Sequence, residues 1–212
     1  MKSLKTPLRY PGGKSRACTK MDQYFPDLRN YKEFREPFLG GGSVAIHITK
    51  KYPTLDIWVN DLYEPLYNFW CVLRDQSQDL CETLREYKST NATPELAREL
   101  FQQMKVEVND KENPHLQRAA AFYVVNKCSF SGLTESSSFS QQASVSNFSM
   151  RGIEKLPEYG KLIKDWKITN VRYQELLTDD RSIFTYLDPP YDIGSNLYGR
   201  KGNMHKSFDH DG

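Results

Sequence analysis

Apolar and polar residues alternate over Leu55-Asp56-Ile57-Trp58-Val59, and a denser apolar run, Ile183-Phe184-Thr185-Tyr186-Leu187, stands before two prolines. The first pattern has the two-residue period of a strand, and the second reads as a buried strand. Between them the period changes. Leu66, Phe69, Val72 and Leu73 repeat at helical spacing, and Val44 to Thr49 reads as a helix behind a cluster of glycines. Thr93-Pro94-Glu95 and Asn113-Pro114 each put a capping residue before a proline at the first helical position. They predict helices reaching about Val108 and Lys127. From Ser129 to Ser149 the chain is serine-rich and nearly uncharged, with Phe130, Phe139 and Phe148 interspersed, which predicts a flexible loop. No internal repeat or heptad pattern is present. Strands alternating with helices imply an α/β fold with a mostly parallel sheet and ligands at the carboxyl ends of its strands. The pattern divides into a core in two pieces, 1–63 and 167–212, interrupted by a mainly helical insert, 64–166.

Composition narrows the class. Hydrophobic residues make up 38% and charged residues 26% of the 212, and no apolar stretch approaches the length of a membrane span. Met1-Lys2-Ser3-Leu4-Lys5 has no apolar region behind it, so a signal peptide is not expected. Cys18, Cys71, Cys81 and Cys128 lack C-x-x-C spacing, and His47, His115, His205 and His210 show no ligand pairing. Reduced, packed cysteines and no metal are therefore expected. The net charge of +2 announces no nucleic acid, but between Arg118 and Arg172 eight basic residues face four acids, a local surplus suited to phosphates.

Three motifs carry candidate chemistry. Asp188-Pro189-Pro190-Tyr191 follows the last apolar run, and proline cannot continue a ladder, so the chain must turn there. The turn directs a carboxylate and the Pro189 carbonyl into one place beside the Tyr191 ring. Two acceptors suit an NH2 group, and a ring face suits a base. Arg35-Glu36-Pro37-Phe38-Leu39-Gly40-Gly41-Gly42-Ser43 is a glycine-rich turn between a candidate strand and the helix from Val44, where glycines admit close approach of a ligand to a helix N-terminus. Its pattern is not the dinucleotide fingerprint. Asp61 follows about 20 residues later at a strand end, where it suits a ribose ligand or a cap for the helix from Leu62. In register with the glycines the ribose reading is the better one. Leu8-Arg9-Tyr10-Pro11-Gly12-Gly13-Lys14-Ser15 mimics a P-loop at its tail, but a P-loop needs a glycine where Leu8 stands and a strand before it.

In this order the three motifs resemble the Dam-like family of DNA adenine-N6 methyltransferases, and the likeness runs from Lys5 to Phe208. Asn126-Lys127-Cys128-Ser129-Phe130-Ser131-Gly132-Leu133 is similar to a family segment in which Asn is more usual where Ser131 stands. The resemblance implies a Rossmann-like S-adenosylmethionine-dependent core with an inserted, mainly helical target-recognition domain. It assigns catalysis to Asp188, Pro189, Pro190 and Tyr191. It assigns the S-adenosylmethionine pocket to Tyr10, Gly12, Gly13, Lys14, Pro37, Phe38, Gly40, Gly42, Ser43, Asp61 and Asp188, and contact with double-stranded DNA to Lys127, Phe130, Ser131, Gly132 and Arg151. The serine-rich stretch would hold a DNA-contacting hairpin ordered on binding. The implied reaction is site-specific methylation of a flipped adenine by a monomer in the cytoplasm of a bacterial or phage-infected cell. Restriction-modification, epigenetic marking and protection of a phage genome all fit as settings. Family members continue past a segment like Ser207-Phe208-Asp209-His210 with further strand-helix steps, so the resemblance also implies an incomplete sheet. Alternative readings are a truncated, inactive DNA-binding remnant and an amino methyltransferase of RNA or of protein glutamine.

Overall fold

The computed structural model describes residues 4–10, 12–130 and 137–190. In chain order the elements are α1 (Cys18–Met21), β1 (Glu33–Glu36), α2 (Ser43–Lys51), β2 (Asp56–Asn60), α3 (Glu64–Asp75), α4 (Ser77–Thr90), α5 (Pro94–Glu107), α6 (His115–Cys128), α7 (Gln141–Ser146), α8 (Met150–Ile153), α9 (Leu156–Leu162), β3 (Lys167–Thr169) and β4 (Ile183–Thr185). Single 3-10 turns stand at Leu28–Asn30 and Tyr173–Leu176. Among the described residues the strands form one parallel sheet in the order β3-β2-β1-β4. The chain runs outward from β1 through β2 to β3, then returns to β4 on the other side of β1. That reversal is the switch point at which open α/β sheets bind ligands, beyond the carboxyl ends of the strands.

The core follows from the sequence period. Phe34, Ile57 and Val59 of the two central strands are buried, as are Val44, Ala45, Ile46 and Ile48 of α2 and Leu66, Phe69, Trp70, Val72 and Leu73 of α3. Burying each large apolar side chain contributes about 1.5–3 kcal/mol, so these two helices are held by their apolar faces rather than by propensity. Helix α3 packs against α6, α9 and β3, tying the helical region to the sheet through one continuous apolar cluster. Across the sheet, Trp58 lies between two cations, with the Arg35 guanidinium 4.5 Å and the Lys167 ammonium 3.3 Å from its ring centroid.

Several expectations need correction. Ile183–Leu187 was expected as a buried strand, yet β4 covers Ile183–Thr185, its side chains are half-buried and Leu187 is 51% exposed. Among the described residues it pairs with β1 alone, so only one of its edges is covered. Arg35 and Glu36, assigned to the glycine turn, belong to β1. At Thr93-Pro94 the cap is as expected, with the Thr93 hydroxyl accepting from the Leu96 N–H at 3.3 Å. At Asn113-Pro114 it is not: Pro114 is itself the cap of α6, and the Asn113 amide reaches Asp110 instead. The stretch from Ser129 to Ser149 is not loop throughout. Ser129 bridges Phe139 in antiparallel fashion, α7 follows, and Phe148 is buried, because the aromatic side chains supply the apolar anchors that serines lack. The basic surplus is not one surface either: Arg118 is 5% exposed and ion-paired with Glu64, and Lys167 belongs to the sheet.

Helix α9 approaches α3 and α4 closely at Gly160, where an added Cβ would lie 2.6 Å from the Ser77 Cβ and 2.7 Å from the Leu73 carbonyl oxygen. Backbone on one side leaves no flexible atom to yield. Gly160→Ala is therefore expected to destabilise the fold by about 2–3 kcal/mol, seen as a lower urea midpoint at unchanged slope. An unaltered midpoint would show that α9 can move off α3 and α4 without cost.

Candidate active site

The glycine loop leaves the carboxyl end of β1 and is tied to the carboxyl end of β2. After β1, Pro37-Phe38-Leu39 leads into Gly40-Gly41-Gly42 and the first turn of α2. Gly40 and Gly42 have φ of +49° and +66°, which disfavours any side chain. Space excludes one as well. A Cβ on Gly40 or Gly41 would stand 2.8 or 2.9 Å from Tyr10 side-chain atoms, and one on Gly42 would stand 2.6 Å from the Trp70 ring. The loop is thus sandwiched between Tyr10 and Trp70. Polar contacts fix it further. The Asp61 carboxylate accepts from the Gly40 N–H at 2.9 Å and from the Tyr63 N–H at 3.0 Å. The Trp70 indole donates to the Gly40 carbonyl at 3.2 Å, and the Thr6 hydroxyl to the Gly41 carbonyl at 2.5 Å.

At the same edge, Lys14 and Asp188 meet. The Lys14 ammonium lies 2.5 Å from Asp188 Oδ2, both side chains partly shielded, and it also donates to the Gly12 carbonyl at 3.1 Å. The backbone supports this. Gly12 takes a φ of +72°, the Gly13 N–H donates to the Tyr10 carbonyl at 3.1 Å, and the turn delivers Lys14 across to the end of β4. Asp188 arrives there because the Tyr186 N–H extends the β1–β4 ladder to the Arg35 carbonyl at 2.8 Å, after which Pro189 and Pro190 stop it. Ser43 shares a 2.8 Å hydrogen bond with Ser15, Pro37 accepts from Asn60, and Phe38 packs against Tyr173 with ring centroids 5.3 Å apart.

Two carboxyls at this edge have raised pKa values. Burial pushes Asp61 up to about 6 against the opposing effect of its two N–H donors. Burial also drives Glu36 well above the usual carboxylate range, and the neighbouring Asp188 and Asp61 charges add to the rise. Glu36 is 3% exposed and accepts from the Ala45 N–H of α2 at 2.9 Å. Sequence reasoning passed over Glu36, Asn60, Trp70 and Arg9. Glu36 had a usable signal, an acid wedged between an apolar strand and a proline-glycine turn.

The residues expected to meet DNA are more dispersed. Lys127, at the end of α6, lies over the Tyr123 ring at 5.3 Å, and burial lowers its pKa to about 8, aided by the nearby Arg9 charge. Phe130 is 78% exposed, and Arg151 is exposed on α8. Tyr191, Ser131 and Gly132 lie outside the described residues.

A family model of D12 class N6 adenine-specific DNA methyltransferases matches residues 10–212. The chain belongs to that family. This D12-class enzyme is therefore an adenine-specific DNA methyltransferase. It is 25% identical over 201 residues to the type II methyltransferase M.MjaIII of Methanocaldococcus jannaschii, covering 89% of this chain and 69% of that protein. It is 22% identical over 202 residues to the type II methyltransferase M.CviBI of Paramecium bursaria Chlorella virus NC1A, covering 92% of this chain and 72% of that protein. Among the described residues of the D12-class enzyme, no helix is long and apolar enough to cross a membrane, and no cluster of three or more His, Cys, Asp or Glu is placed to hold a metal ion.

The Asp61 value has a consequence for stability. Between about pH 4 and 6 the folded chain keeps a proton on Asp61 that the unfolded chain has released, so stability falls as pH rises through this window. Compared with Asp61→Ala, the wild type should lose on the order of 3 kcal/mol of relative stability across it and change little above. Urea unfolding at stepped pH checks this; a pH-independent difference would mean that Asp61 titrates normally.

Proposed function

We propose that the enzyme binds S-adenosylmethionine over the glycine loop and methylates N6 of an adenine flipped out of duplex DNA, with Asp188 as the catalytic acceptor. The observation that carries this reading is the position of Asp188 at the switch point, 2.5 Å from Lys14 and beside a braced glycine loop.

The residues at the site fit such a cofactor. Among the described residues the backbone N–H groups of Gly41 and Ser43 make no hydrogen bond within the chain, and they stand at the N-terminus of α2, where a carboxylate is favoured. Asp61 retains lone pairs for ribose hydroxyls beyond those that accept from Gly40 and Tyr63. Phe38 and Tyr173 offer ring surface at the adjoining strand ends. When bound, S-adenosylmethionine supplies a methyl group on a positively charged sulfonium.

The chain's own part is to make a weak nucleophile attack. An adenine amine delocalises its lone pair into the ring. Asp188 and the Pro189 carbonyl, which accepts no hydrogen bond among the described residues, take its two hydrogens and so favour a tetrahedral nitrogen. The nitrogen then accepts the methyl group and gives up one proton through the Asp188 carboxylate. Positioned acceptors and exclusion of water supply the acceleration. A base in a duplex must leave its stack to reach this edge, and the Tyr191 ring is assigned to receive it. We assign the helical region 64–166 to target recognition, with Lys127, Phe130, Ser131, Gly132 and Arg151 on its DNA side.

Transfer of labelled methyl from S-adenosylmethionine to unmethylated duplex DNA, followed by nucleoside analysis, should yield N6-methyladenine. Asp188→Ala should lower turnover at least about a hundredfold while cofactor binding persists; retained turnover would remove Asp188 from catalysis. Arg151→Ala should weaken DNA binding several-fold and reduce the steepness of its salt dependence by about one counterion. Binding that is unchanged in both respects would take Arg151 off the DNA side.

A further inference from the structure

We propose that Arg9 is a positioning residue for the target-recognition segment, latching the stretch that opens at Ser129 to the strap that carries Tyr10 and Lys14. Arg9 stands one residue before Tyr10, which packs on the glycine loop, and five before Lys14, which reaches Asp188. Its own contacts run the other way. Nη1 donates to the Ser129 carbonyl at 2.5 Å and Nη2 to the Phe130 carbonyl at 2.9 Å. The backbone is held at the same place: the Arg9 N–H donates to Asn126 Oδ1 at 2.9 Å, and Asn126 Nδ2 donates back to the Arg9 carbonyl at 2.7 Å. Asn126 is 1% exposed, so this pair is a fixed anchor on α6 and not a surface contact.

The chemistry favours arginine here. Carbonyls at and just past a helix C-terminus carry partial negative charge and lack helical partners. A planar guanidinium satisfies two consecutive carbonyls with one rigid group, whereas an ammonium on a flexible stem reaches them less reproducibly. The fork grips the backbone at a residue that is 78% exposed, Phe130. It does so where the segment closes on itself, since the Phe130 N–H donates to the Ser138 carbonyl at 3.1 Å and the Ser140 N–H to the Cys128 carbonyl at 2.8 Å. The strap is equally tied to the cofactor side through Thr6 and Gly41. Arg9 therefore fixes the backbone of Ser129 and Phe130 relative to the strap whose Lys14 reaches Asp188.

The inference rests on the proposed reaction for its consequence but not for the latch itself, and two measurements separate them. In the free full-length chain, Arg9→Met should speed hydrogen exchange of the Phe130 and Ser140 amides at least about tenfold, with Arg9→Lys intermediate. In turnover with unmethylated duplex DNA, Arg9→Met should raise the KM for DNA about tenfold or more while the KM for S-adenosylmethionine stays within about twofold, and Arg9→Lys should recover part of the loss. Unchanged exchange at Phe130 and Ser140 would overturn the latch. A KM rise shared equally by cofactor and DNA, or confined to cofactor, would overturn the assignment to the target side. Turnover by the wild type reports on the proposed reaction, whereas exchange reads the latch with neither DNA nor cofactor present.

Discussion

The site depends on a pair of polar residues at the end of β2, Asn60 and Asp61. Asn60 is 1% exposed, and its amide makes every bond it can: Nδ2 donates to the Pro37 and Val171 carbonyls, and Oδ1 accepts from the Val171 N–H and the Thr169 hydroxyl. One side chain thereby fixes where the chain leaves β1 and where it leaves β3. Asp61 does the same for the next turn, pinning Gly40 while starting α3 at Tyr63. Each buried polar group left without a partner costs about 1–3 kcal/mol, so these contacts hold the strand ends to one arrangement. Fold and site are therefore the same set of bonds at this edge.

Charge follows from that geometry. Glu36 feels the charges of Asp188, Asp61 and Lys14 across the strand ends, and Lys14 is ion-paired with Asp188. An ionised Glu36 would be repelled by both of the other carboxylates in this buried space. Burial relieves this by raising Glu36 and Asp61. Glu36 spends its acceptor on the helix N–H of Ala45, and Asp61 on the loop, which leaves the ion pair to Asp188. An acceptor paired with a lysine stays near the surface of the pocket and can exchange that partner for an amine. An acid used as a brace cannot.

Much of this was legible in the sequence, because turns and strand ends are written in residue types with few alternatives. Asp188-Pro189-Pro190, the glycines and the spacing of Asp61 predicted the edge at which they meet, and Lys14 was assigned to the same pocket. The reason for the glycines was not legible. Close approach by a ligand explains such a loop in general, but here Tyr10 and Trp70 occupy the space that Cβ atoms would need, and both are distant in sequence. The serine-rich stretch misled for a related reason: its low charge and small residues predict a loop, while two of its phenylalanines find partners in α5 and α6 that no local pattern displays, Phe139 against Phe101 with rings 5.6 Å apart and Phe148 against Tyr123 at 6.3 Å. Arg118 counted toward the basic surplus suited to phosphates, yet it is buried against Glu64: one sequence cannot say which face of a helix a cation takes.

The strap from Thr6 to Lys14 shows why an N-terminal segment belongs to a site assembled so much later in the chain. Its partners are Gly41, Asn126, Ser129, Phe130 and Asp188, all far along the sequence, so closing them costs chain entropy before any bond is made. Leu8, 4% exposed in the core, and the Tyr10 ring against the glycine loop supply its apolar packing, and the other contacts that meet this cost are directional hydrogen bonds. Segments held in that way open at lower free energy than packed helices. A ligand that engages any one of the three regions the strap joins adds to the same small sum and stabilises the others. The glycine loop, the segment that opens at Ser129 and Asp188 therefore share one element of nine residues, Thr6 to Lys14, and ordering any of them helps to order the strap that holds the rest.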